Sequence, residues 1–182
     1  MRFRSGMLCL ICVLSACSLA WAQDRAILTT TDFESGSISV VDLQTDLAAV
    51  NLLNIHSDAA VRTYGGLVYV INRFGEDNIL VLDPDDLATP VLQFSVGNGT
   101  NPQDIAFLSQ TRAYIARRAS DRLLIVNPAT GDSLGGIDLS FVADADGLPE
   151  MKFVTIFGRS LYVTCQRLDR DNFSSPTDRS EV

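Results

Sequence analysis

Past its first seventeen residues this chain of 182 has one cysteine, and over its whole length it has one histidine and one lysine. Each shortage closes off a class of chemistry. Cys165 alone forms no internal disulfide and cannot build a thiolate metal site. His56 alone excludes copper centres that need several imidazoles. There is no Ser–His pairing and no Gly-rich phosphate cradle. Lys152 is the single lysine, and the formal charge is −8. Such an acidic chain is a poor partner for nucleic acid or an anionic membrane.

What is present begins with an address. MRFRSGMLCLICVLSACSLAWA opens with Arg2 and Arg4, runs through an apolar stretch from Met7 to Leu14 and ends on small residues. That order marks residues 1–22 as a secretory signal. The stretch is well short of the ~20 residues a spanning helix needs. The expected location is therefore outside the cytoplasm: periplasmic, cell-surface or extracellular. Ala20-Trp21-Ala22 is an A-x-A site, and cutting after Ala22 leaves Gln23 first. Leu14-Ser15-Ala16-Cys17 resembles a bacterial lipobox, which would leave a lipidated Cys17 as the sole membrane anchor. Strand-like sequence starts by Ala26, leaving little room for a tether, so the A-x-A site is preferred. Loss of two arginines takes the formal charge from −8 to −10.

The remainder, residues 23–182, repeats itself. LVYVINRFGEDNILVLD (Leu67 to Asp83) aligns with TRAYIARRASDRLLIVN (Thr111 to Asn127), placing Tyr69 over Tyr114 and Asp83 over Asn127. SLYVTCQRLDRD from Ser160 is a third copy with Tyr162. AILTTTDFESGSISVVD is an earlier, weaker one ending at Asp42. Within a unit, an apolar run meets a polar turn, then a second run closed by Asp or Asn, then a Pro- or Gly-bearing loop. Valine, isoleucine and tyrosine between such breakers is strand–turn–strand sequence. Periods of ~40–50 residues with several short strands each point to β-propeller blades rather than a helical solenoid. No window carries a capped amphipathic helix.

LYVTCQ at Leu161, SVVD at Ser39 and VGNGTNPQDIAF at Val96 resemble the YVTN-type repeats of seven-bladed bacterial β-propellers. The resemblance covers about residues 25–182. It departs at Arg117 and Cys165, where the family usually has Asn, and the first copy lacks the tyrosine. The expected fold is all-β, with blades near residues 25–59, 60–102, 103–150 and 151–182. That is about three and a half blades of an incomplete ring, the N-terminal portion of a longer protein. Tyr69, Tyr114 and Tyr162 are expected between blades, each hydroxyl reaching a partner.

Two constellations carry the candidate chemistry. Asp144, Asp146 and Glu150 surround Gly147 in a linker and could offer oxygens to a hard cation such as Ca²⁺, although the spacing is not that of an EF-hand. Arg73, Arg117, Arg118, Gln166 and Arg167 all follow tyrosine-bearing strands or their equivalents, so they should emerge at one rim. There they would bind a small anionic ligand or a partner protein's acids, or neutralise nearby aspartates. His56 is expected to be a loop or strand-end residue rather than a ligand or a base. Asn98-Gly-Thr100 and Asn172-Phe-Ser174 match the glycosylation pattern by chance.

The functional expectation is an exported, non-catalytic binding or interaction module. A hydrolase of lactonase or metal-assisted type, using the 144–150 carboxylates, is the competing class. A surface-layer role is the third. The export reading is checked by mass spectrometry of the secreted protein, which should begin at Gln23. A diacylglycerol on Cys17 would replace that with a lipoprotein.

Overall fold

The computed structural model describes residues 24–166 and residue 168. The expected signal (with Cys17 and Ala22), Arg167 and the end of the fourth copy lie outside the described residues. The described chain is all-β: thirteen strands in four antiparallel sheets, with one 3₁₀ turn at Ser140–Val142.

Sheet one holds β1 (Arg25–Thr31), β2 (Gly36–Asp42) and β3 (Ala48–Ile55). Sheet two holds β4 (Ala59–Tyr64), β5 (Leu67–Asn72), β6 (Asn78–Asp83) and β7 (Asp86–Ser95). Sheet three holds β8 (Pro102–Ser109), β9 (Arg112–Arg117), β10 (Arg122–Val126) and β11 (Ser133–Asp138), and sheet four holds β12 (Met151–Phe157) and β13 (Ser160–Cys165). Strands pair with their chain neighbours, and each sheet packs on the next one along the chain.

The apolar runs of β5 and β6 follow from that stacking. Side chains alternate between the two faces of a strand, so a run without polar interruption is buried on both. Val68 and Val70 lie opposite Leu82 and Leu80 and pack with Ile38 toward sheet one. Tyr69 and Ile71 lie opposite Val81 and Ile79 and pack with Ile105 and Ile115 toward sheet three. Sheet three repeats the division, with Ala106, Ala116 and Leu123 meeting Met151 and Val154 of sheet four. Each fully buried Val, Leu or Ile stabilises by about 1.5–3 kcal/mol over the exposed state. That outranks any single ion pair here.

The three tyrosines differ in their surroundings. Tyr69 is buried against Phe107, with ring centroids 4.5 Å apart. Tyr114 is half-buried toward sheet four, and its hydroxyl accepts from Arg112 Nε at 3.2 Å. Tyr162 is 53% exposed, because its face of sheet four is uncovered among the described residues.

Local polar contacts recur with the period. Asp42, Asp83 and Asn127 each accept a backbone N–H two residues ahead through the side-chain oxygen, closing the turn before the outer strand. β7 is longer than the sequence suggests, since it starts at Asp86 and runs through Pro90. The ladder shifts register at Leu82, the residue opposite Pro90, and β7 is an outer strand where a missing N–H is tolerated. Gly131 turns with φ of +80°, and a Cβ there would sit 2.4 Å from Phe94 Cβ, so a side chain would push sheets two and three apart.

Asp104 ties three sheets. It is buried on β8, takes an ion pair from Arg62 Nε of sheet two at 2.9 Å, and accepts Val154 N–H of sheet four at 3.1 Å. Arg62 is partly solvated and can return to water, but the Val154 N–H cannot. Asp104→Ala is therefore expected to lower stability by about 2 kcal/mol, the cost of an unpaired buried donor. The measurement is the urea midpoint, which should fall at unchanged m-value.

Candidate functional site

The chain brings together the equivalent pair of residues three times, at the open ends of three successive hairpins. In each hairpin, the residue before the inner strand faces the residue after the tyrosine-bearing strand. The pairs are Asp58 with Arg73, Asn101 with Arg118, and Glu150 with Gln166. The first is an ion pair, Arg73 Nη2 to Asp58 Oδ1 at 2.9 Å, with Arg73 Nε also donating to Asp58 O at 2.9 Å. In the others, Arg118 N–H donates to Asn101 O at 3.0 Å and Gln166 N–H to Glu150 O at 3.2 Å.

Between these ends lies a recess of about 590 Å³, walled by Asp58, Arg73, Phe74, Asn101, Gln103, Arg118, Ala119, Glu150 and Lys152. Gln103 of β8 is its hub. Its Oε1 accepts Lys152 Nζ at 2.6 Å and Arg73 Nη1 at 3.2 Å, so three sheets meet on one amide oxygen. Its Nε2 donates to Asn101 Oδ1 at 2.6 Å and Asn101 O at 3.2 Å. The amide orientation is assigned from that network. A flip would aim an NH₂ at two cations.

Asn101 is braced from behind. Its N–H and that of Gly99 donate to the buried Asp77 carboxylate at 2.8 and 2.7 Å. Burial, then the nearby Arg73 charge, holds the Lys152 ammonium below the usual lysine value of 10.5, with Asp58 and Asp104 pulling the other way. Cationic side chains converging on one recess are what a site for a negative group requires.

The sequence-derived rim residues separate. Arg73 and Arg118 enter the recess wall, while Gln166 is exposed at the neighbouring hairpin end. Arg167 lies outside the described residues. Arg117 is corrected from rim ligand to internal brace. Its Nη1 donates to Val96 O at 2.9 Å and its Nη2 to Arg122 O at 3.0 Å, and burial holds its guanidinium below the usual arginine range. In sheet two the matching Asn72 bonds Asn78 Oδ1 and accepts His56 N–H, so Arg117 performs an asparagine's task with a longer arm. His56 also accepts Asp58 N–H at Nδ1, which makes it part of the joint between sheets one and two.

The calcium cage is likewise corrected. Among the described residues no three His, Cys, Asp or Glu side chains converge to hold a metal. Asp144 and Asp146 accept backbone N–H groups within their own loop, while Glu150 is buried at the β12–β13 hairpin end and accepts Leu168 N–H. Asp58, Asn101, Gln103 and Lys152 were missed. Asp58 and Asn101 immediately precede the inner strand of a copy, and Gln103 and Lys152 are each the second residue of one, so register alone could have found them.

Arg117 and Arg118 should behave oppositely on substitution. Arg117→Ala strips a donor from two carbonyls and is expected to cost about 1–2 kcal/mol. Arg118→Ala is expected to stay within about 0.5 kcal/mol. Paired thermal melts of the two variants check this.

No family model matches the chain, and no curated protein matches it. A solved structure to which it is similar is the crystal structure of Myxococcus xanthus glutaminyl cyclase, at 14% identity and a TM-score of 0.49, over 78% of this chain and 64% of that one. This chain thus spans less than two thirds of that protein's length. A likeness at that distance bears on neither activity nor ligand.

Proposed function

We propose that this chain is an exported binding module of β-propeller type, using the recess at the open hairpin ends as its contact surface. The propeller reading is supported by the ~45-residue period and by antiparallel sheets that stack through apolar faces in chain order. The seven-bladed ring and the YVTN kinship rest on the sequence motifs. Export rests on the N-terminal pattern.

One observation carries the binding reading: Arg73, Gln103, Arg118 and Lys152, from three consecutive sheets, converge on one recess. Packing alone would not gather three cations there. Propellers host many unrelated activities, so the argument stands on the site and not on the fold.

A thermal-shift screen over anionic, neutral and cationic small molecules tests it. A ligand at about 100 times its Kd adds about 2.7 kcal/mol. For a chain of this size that is a rise of about 5–10 °C. The combined Arg118→Ala, Lys152→Met variant should lose the rise. If nothing in the panel raises the midpoint, or the variant responds as the parent does, the reading fails.

A further inference from the structure

We propose that the recess is a site for a small organic monocarboxylate whose apolar part lies against Phe74. This rests on the binding-module reading and names the ligand class of that same site. Charge sets the class. Arg73, Arg118 and Lys152 line the recess together with Asp58 and Glu150, a balance of one positive charge. One carboxylate neutralises it. A phosphate dianion would overshoot and meet two carboxylates at close range.

Geometry sets the contact. Lys152 carries three donors and Gln103 takes one of them. Gln103 cannot swing away, because both its N–H bonds are fixed by Asn101. The ammonium is thus held facing the recess with donors to spare. Arg73 is already engaged with Asp58 and Gln103, so it supplies field rather than a direct bond. Phe74 stands 72% exposed on the wall, with its N–H anchored to Asn101 Oδ1 at 3.3 Å. An exposed ring beside a cationic group suits a ligand with an apolar body and a charged end.

Calorimetry on the purified full chain, with benzoate, benzamide, benzamidinium and inorganic phosphate, separates the cases. The first three share a shape and differ in charge. Benzoate should bind, benzamide at least about tenfold more weakly, and the affinity for benzoate should fall with added salt. Lys152→Met should weaken benzoate at least about tenfold, and Lys152→Arg should restore most of it. Arg159→Gln, which removes a charge at the far turn of the β12–β13 hairpin, should change nothing. Benzoate affinity should also fall as pH rises through the lowered Lys152 pKa, earlier than an ordinary lysine at 10.5 would give.

Equal binding of benzoate and benzamide, tighter binding of benzamidinium, or tighter binding of phosphate would each overturn the monocarboxylate. Any of these leaves the module reading standing. Silence from all four probes, in a chain that the broader screen shows to bind something else, would overturn it too. Failure of that whole screen is the separate signature of a wrong module reading.

Discussion

A sheet with Val70 and Leu82 on one face and Ile71 and Ile79 on the other has to be covered twice. In water alone it would expose both surfaces, and neither could be hidden by folding the sheet on itself. The remaining architecture answers that constraint. Sheets one and three cover sheet two, and sheet four covers the far side of sheet three. This is stacking of repeats in which no unit is stable by itself. The order of sheets along the chain follows from short connections, since the next sheet available is the next one made.

Apolar stacking leaves the sliding of one sheet over another weakly determined. Polar ties fix it. Asp104 receives Arg62 from one side and the Val154 N–H from the other, and Asp77 holds the connection that leads into sheet three. Both carboxylates are buried, and each is satisfied by directional donors, so a displaced neighbour would leave a charge without partners. The same ties hold the hairpin ends level. That levelling is why Asp58, Asn101 and Glu150 line one recess instead of scattering around an edge.

Much of the fold was legible because the signals were periodic. Tyr69 over Tyr114 and Asp83 over Asn127 set the register, and two-sided burial turned β5 and β6 into unbroken apolar runs. β7 was less legible, because Pro90 reads as a breaker unless the bulge opposite it is known. The site was half legible. Following the tyrosine strands found Arg73 and Arg118, but identity alone cannot say which of two adjacent arginines turns inward. Strand alternation decides it: Arg117 ends β9 and points between sheets, and Arg118 begins the loop. Glu150 was misassigned because nearness in sequence to Asp144 and Asp146 looked like nearness in space. A cross-strand partner, not a sequence neighbour, places it.

Lys152 shows what the site costs the fold. Its proton is held less tightly in the folded chain than in water, through burial and then the charge of Arg73. A basic group with a lowered folded pKa opposes folding while it is charged. That opposition is present at neutral pH, begins to fade as pH rises through the lowered value and is gone above the ordinary 10.5. An uncharged side chain of similar length would avoid it and would pack against β8 equally well. The apolar requirement of sheet four therefore does not account for the chain's single lysine standing in this wall. A negative group in the recess reverses the sign: it raises the lysine's pKa, and the charge that opposed folding becomes a partner. The charged recess is a local cost to stability, carried by the stacked faces behind it.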